Sequence, residues 1–134
     1  MKKEDLMIGD WILVDVNDWI EDEYDRNCGV VDYQPHQIQY GEELDYLEYG
    51  DGKPKYMPIT KEIADKNFQQ ETTGIYKLYG NLYLIRHHIE KDKWMVNWME
   101  NAYDPNYRVV ACLQYVHELQ HILKYSQPTA KIKI

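Results

Sequence analysis

The chain has 134 residues, 44% hydrophobic and 28% charged, the size and mix of one compact soluble domain over 1–134. A chain this long buries about two-thirds of its unfolded surface, so staying folded requires neither disulfides nor a metal. Its 23 acidic and 15 basic side chains leave a net charge of −8, which argues against nucleic acid or an anionic membrane as the main partner.

The start, Met1-Lys2-Lys3-Glu4-Asp5-Leu6, places two carboxylates where a secretory signal needs an apolar run, and no stretch approaches eighteen apolar residues, so a cytoplasmic location is expected. Leu6 to Asp10 reads as a turn into a strand, Trp11 to Val16, with Trp11, Leu13 and Asp15 facing one way, Ile12, Val14 and Val16 the other, and one face the drier. Next comes the densest acidic segment, Asp15 to Asp25. It fails as a calcium loop, because Trp19 and Ile20 stand at positions five and six, where a ligand and a glycine are needed.

Strands are predicted over Gly29 to Tyr33, Gln37 to Tyr40 and Leu44 to Tyr49, with Pro35, Gly41, Gly50 and Gly52 in the turns. This part is read as an antiparallel meander or a small SH3-like barrel. Thr60 caps a short helix through Phe68, Glu62 stands in its first turn, and Asn67 ends it in the left-handed conformation. A second antiparallel run follows over Ile75 to Tyr79, Leu82 to His88 and Lys93 to Met99, with Gly80-Asn81 as a hairpin turn. For Lys93 to Met99 a strand is favoured over a helix, although the Trp94/Trp98 spacing fits both.

Asn101 to Tyr107 reads as a loop and Val109 to Tyr125 as a long amphipathic helix packed on sheet. Its core sector holds Val109, Cys112, Leu113, Val116, Leu119 and Leu123. Thr129 to Ile134 reads as a last edge strand. The fold class is therefore α+β. Cys28 and Cys112 read as reduced, buried packing residues.

Charge divides the chain. Residues 1–52 carry 15 acidic and 3 basic side chains, a net of −12, and 53–134 carry 8 and 12, a net of +4. Either the parts partly neutralise each other within one domain or the first presents an acidic docking face. The candidate partner-binding residues are Trp11, Trp19, Glu21, Asp22 and Glu23. Of the aromatics, 13 are Tyr, 4 are Trp and 1 is Phe, so nearly all carry a polar end suited to a half-wet sheet face or an interface.

One motif carries chemistry. His117-Glu118-Leu119-Gln120-His121 matches H-E-x-x-H, in which two imidazoles one helical turn apart grip zinc and the glutamate activates the metal-bound water. No His, Glu, Asp or Cys follows His121, so a third ligand has to come from His87, His88 or His36, with Glu90 also upstream. The adjacent His87-His88 pair cannot put both rings on one face of a strand. No phosphate loop, nucleophile elbow or Cys-His dyad accompanies it: Cys112 and His117 diverge by about 140° on a helix.

Three segments together resemble a family of short proteins of no established activity carried by gut anaerobes and their prophages and conjugative elements. They are Leu6-Met7-Ile8-Gly9-Asp10-Trp11-Ile12, Met57-Pro58-Ile59-Thr60-Lys61-Glu62-Ile63 through Lys66-Asn67-Phe68, and Tyr115-Val116-His117-Glu118-Leu119-Gln120-His121. The family pattern has a glycine before the Phe68 position and Leu-Leu in place of Ala64-Asp65. The resemblance implies that relatives can carry Gln at 118 and Asn at 121, which makes H-E-x-x-H incidental to the family.

The function expected is that of a non-enzymatic protein-binding or accessory protein of mobile-element origin, with an unidentified protein partner and no cofactor. The alternatives are a zinc-dependent hydrolase with Glu118 as base and His117 and His121 as ligands, and an acidic nucleic-acid mimic. A homo-oligomer stays open.

Overall fold

A computed structural model describes residues 5–15, 32–49, 54–126 and 131–134. The chain forms two compact units, Met1–Met57 and Pro58–Ile134, divided five residues after the change of charge at 52/53. The class is α+β, mostly strand, with two antiparallel sheets.

In the N-terminal unit the strands are β1 (Trp11–Asp15), β2 (Tyr33–Gln37) and β3 (Lys55–Tyr56), with helix α1 (Gly41–Tyr49) between β2 and β3. The order is β2-β1-β3, so the strands do not follow one another across the sheet as in a meander. Gly9, at φ 98°, makes the turn before β1, and its N–H donates to Ile38 O at 2.7 Å. Asp10 is buried there and accepts from Met7 N at 2.9 Å, which gives the Ile8-Gly9-Asp10-Trp11 signature a structural meaning. The expected dry face is present: Ile12 and Val14 join Leu6 and Ile38 in a buried cluster, against which Leu44 and Tyr56 pack.

Three expectations here are corrected. Pro35 lies inside β2, opposite Leu13, and not in a turn. Proline is tolerated there because β2 is an edge strand. Gln37 ends β2, so Gln37 to Tyr40 is no separate strand, and Leu44 to Tyr49 is helical, the end of α1. Most of the predicted Gly29–Tyr33 strand lies outside the described residues.

The C-terminal unit opens with helix α2 (Lys61–Asn67), capped as expected by Thr60, whose Oγ1 accepts from Ile63 N at 3.2 Å. Asn67 is the last helical residue, and the extended residue that ends α2 is Phe68. Instead of turning left-handed, Asn67 uses its amide as a false peptide: it accepts from Lys133 N at 2.6 Å and donates to Lys133 O at 2.7 Å. Residues 131–134 are held in this way, with Ile132 buried, and form no strand. Residues 127–130 lie outside the described residues.

Five strands follow: β4 (Gln69–Thr72), β5 (Ile75–Tyr79), β6 (Leu82–Arg86), β7 (Trp94–Trp98) and β8 (Arg108–Leu113). Each pairs antiparallel with the next, in the order β4-β5-β6-β7-β8. The strand expected at 93–99 is thus β7, and Gly80, at φ 55°, makes the predicted hairpin turn with Asn81. On one face Tyr76, Leu84, Trp94 and Val96 are almost fully buried. Trp94 Nε1 donates to Ile59 O at 3.1 Å, and Tyr76 OH donates to Asp65 on α2 at 2.6 Å.

The last helix, α3 (Val116–Ser126), is shorter than predicted. Val109 to Leu113 is strand β8, because adjacent β-branched Val109 and Val110 suit a pleated edge better than a helix interior. Only Val116, Leu119 and Leu123 of the predicted sector are a buried helical stripe; burying a side chain of this type contributes about 2 kcal/mol. Cys112 is exposed, contrary to the buried packing role expected for it. Cys28 lies outside the described residues.

Candidate functional site

The H-E-x-x-H motif occupies the first turns of α3, as its spacing requires. His117 is buried and His121 half-buried, and their rings lie 5.6 Å apart between centroids, edge to face. His117 also stacks on Tyr115 at 5.9 Å. The glutamate points elsewhere. Glu118 Oε1 accepts from Gln114 N at 3.1 Å and from Tyr115 N at 3.0 Å, the bonds of a carboxylate closing the start of its own helix. Both bonds use Oε1, so this oxygen of Glu118 is committed to the start of the helix.

The same device starts α1. Glu43 Oε2 accepts from Gln39 N at 2.6 Å and Tyr40 N at 3.0 Å, so Gln39-Tyr40-x-x-Glu43 and Gln114-Tyr115-x-x-Glu118 are one local structure used twice. In the first copy His36 Nε2 lies 2.8 Å from Glu43 Oε1. Burial pushes the Glu43 carboxyl up, but the two N–H donors and His36 outweigh it and hold it below the ordinary carboxylate value.

The upstream ligands proposed for zinc have other positions. His87 and His88 follow the end of β6, so the argument from alternating strand faces does not apply, and their rings stack at 5.3 Å. His87 Nδ1 accepts from Ile89 N at 3.2 Å and Glu90 N at 3.0 Å, which employs that nitrogen in the β6–β7 loop. His36 belongs to the N-terminal unit. Among the described residues no three His, Cys, Asp or Glu side chains come together as a metal site.

Of the candidate partner-binding residues, Trp11 is half-buried in the central strand β1. Trp19, Glu21, Asp22 and Glu23 lie outside the described residues, as does most of the acidic segment. The prominent exposed residues lie elsewhere. Trp98 at the end of β7, Tyr103 and Tyr107 in the following loop, and Val109 and Val110 on β8 are all exposed, Tyr103 by 78%. Trp98 is the register partner of Arg108, so the segment carrying Tyr103 and Tyr107 leaves and re-enters the sheet at paired residues. A sequence signal exists for part of this exposed group: the β-branched pair Val109-Val110 shortly after Tyr107, in a segment expected above to be helix.

A cleft of about 400 Å³ opens between residues 58–62 and the β6–β7 loop. Arg86 on its wall is pinned, its Nε donating to Lys91 O at 2.6 Å and its guanidinium lying 5.8 Å from the Trp94 ring centre. Lys61, Arg86 and Lys91 share the lining with Glu62 and Asp92, so the cleft presents no field of one sign.

No helix among the described residues is long and apolar enough to cross a membrane. Comparison with protein-family models, with curated proteins and with solved structures returned no match.

Proposed function

We propose that this chain is a non-enzymatic protein-binding protein, and that its binding surface is the strip from Trp98 through Tyr103 and Tyr107 to Val110. The observation that carries the reading is the exposure of three aromatic and two β-branched side chains within residues 98–110, at the end of β7, in the β7–β8 loop and on the edge strand β8. Tyr and Trp are the residues that anchor protein interfaces, being large, stiff and polar at one end. The helix-capping bonds of Glu118 support the same reading, because they give the glutamate of the one motif with catalytic spacing a structural role. An accessory role on a mobile element is what the family resemblance adds.

The test is affinity capture with the purified chain beside a Trp98→Ala/Tyr107→Ala variant. A defined protein retained by the wild type and lost by the variant supports the reading. Equal capture by both, or none by either, contradicts it.

A further inference from the structure

β8 is the outer strand of the five-stranded sheet, and its far-side backbone groups meet no other element among the described residues. Arg108, Val109, Val110 and Cys112 on it are exposed. An edge with unpaired N–H and C=O groups and no charge in its middle is a template for another strand.

We propose that β8 pairs antiparallel with β8 of a second copy of this chain about a two-fold axis at Ala111, joining two five-stranded sheets edge to edge. This rests on the reading of the chain as a binding protein and names one partner for it.

Three observations select this occupant and register. First, the edge has defined limits. Beyond Leu113 the chain is already engaged, with Ile59 N donating to Gln114 O at 3.0 Å and Pro58 bridged to Tyr115. Second, the register with β7 skips one residue: Val96 faces Ala111 and Asn97 faces Val109, so Val110 is bulged out. The remaining positions, 108, 109, 111, 112 and 113, alternate between the two faces, and Ala111 is their midpoint. An axis there sets the small Ala111 against its own copy, Cys112 against the other copy's Val109, and Leu113 against its Arg108, each pair on one face.

Third, the charges agree. Arg108 is the single charged residue of β8. At the other end Gln114 is held by two carboxylates, Asp92 at 3.2 Å on its side chain and Glu118 at 3.1 Å on its N–H. Lys93 nearby is taken by Glu90 at 3.0 Å, and Lys91 lines the cleft. Antiparallel pairing carries each Arg108 towards the Gln114 end of the other copy, where Asp92 and Glu118 stand, and keeps the two Arg108 side chains about 13 Å apart along the strands. Joining β8 to β4 of the next copy would propagate without closing. The polar residues of β4, Gln69-Gln70-Glu71-Thr72, and its bulge oppose that arrangement.

The experiment combines solution mass with a register-specific cross-link. The wild type is expected to sediment at twice its 16.2 kDa chain mass. Arg108→Glu, at an exposed position, is expected to weaken the dimer about tenfold with unchanged circular dichroism. Opposed residues in an antiparallel pair have Cα atoms about 4.5–5.5 Å apart, within disulfide reach. Val109→Cys should therefore link to Cys112 of the second copy under mild oxidation, while wild type and a Val109→Cys/Cys112→Ser variant should not. A monomer at every accessible concentration, a dimer indifferent to Arg108→Glu, or a Cys112–Cys112 link in the wild type overturns the proposal. A monomer that still captures a protein through Trp98 and Tyr107 refutes this inference alone and marks a foreign partner as the occupant. A dimer that captures nothing refutes only the wider reading.

Discussion

The two edges of the five-stranded sheet are handled in different ways. At the β4 edge the outward residues are Gln69, Gln70 and Glu71, four residues of strand with a bulge, and the neighbouring β5 is tied to α2 through Tyr76 and Asp65. At the β8 edge six residues carry one charge, and two exposed valines follow an exposed tyrosine. Among the described residues, one sheet thus carries a blunted edge and an open one. The contrast teaches that exposure of β8 is not a general property of this sheet, since the same sequence protects the other side with ordinary polar residues.

The contrast can be broken outright at Trp94, which is buried in β7 with Arg86 over its ring and its indole N–H donating to Ile59 O. Trp94→Ala is expected to destabilise the C-terminal unit by about 3–5 kcal/mol in denaturant unfolding, removing both edges together. It can be inverted at β4. Gln70→Val with Glu71→Val gives that edge the character of β8, and light scattering is expected to show assemblies larger than a dimer, because two open edges on one sheet propagate.

A smaller effect is expected at the Gln114 end of β8. Glu118→Ala removes the acceptor for Gln114 and Tyr115 N–H and should cost about 1 kcal/mol of stability. Glu118→Gln should retain much of it, since the amide oxygen still accepts, and a chelator should leave the melting temperature of both variants unchanged. A chelator-dependent loss in the wild type alone would return the helix to metal chemistry.

The last prediction concerns the β5 tether on the blunted side. Burial first, and then the hydrogen bond to Asp65, push the Tyr76 phenol up to about 12 from its ordinary 10.0. The folded state therefore keeps a proton that the unfolded chain releases earlier, so stability present below pH 10 falls as pH rises towards 12. Tyr76→Phe should flatten that alkaline loss in urea unfolding series. An unchanged slope would show that the phenol is not coupled to folding.

Much of this architecture was legible in the residues. Thr60 as a cap, Gly80-Asn81 as a hairpin and the dry Ile12/Val14 face follow from chemistry confined to a few neighbouring positions. Two segments expected in the wrong element share one cause. Leu44 to Tyr49 and Val109 to Leu113 are short segments whose apolar spacing fits helix and strand alike, and only the helix start separates the two. That start was written twice, as Gln39-Tyr40-x-x-Glu43 and Gln114-Tyr115-x-x-Glu118, with glutamate supplying the cap and tyrosine in the place usually held by serine or threonine. H-E-x-x-H overlaps that start, which gives Glu118 the spacing of a base. The backbone tolerance of Asn67 is visible in the sequence, whereas its side chain reaches residue 133, a partner that sequence distance hides.

The most direct test of an open β8 edge is amide hydrogen exchange of β8 and β4 in the same sample at rising protein concentration. The expected result is protection of the β8 amides that grows with concentration while β4 amides exchange at a constant rate. Exchange at β8 that stays as fast as at β4 across the whole range would contradict pairing at that edge.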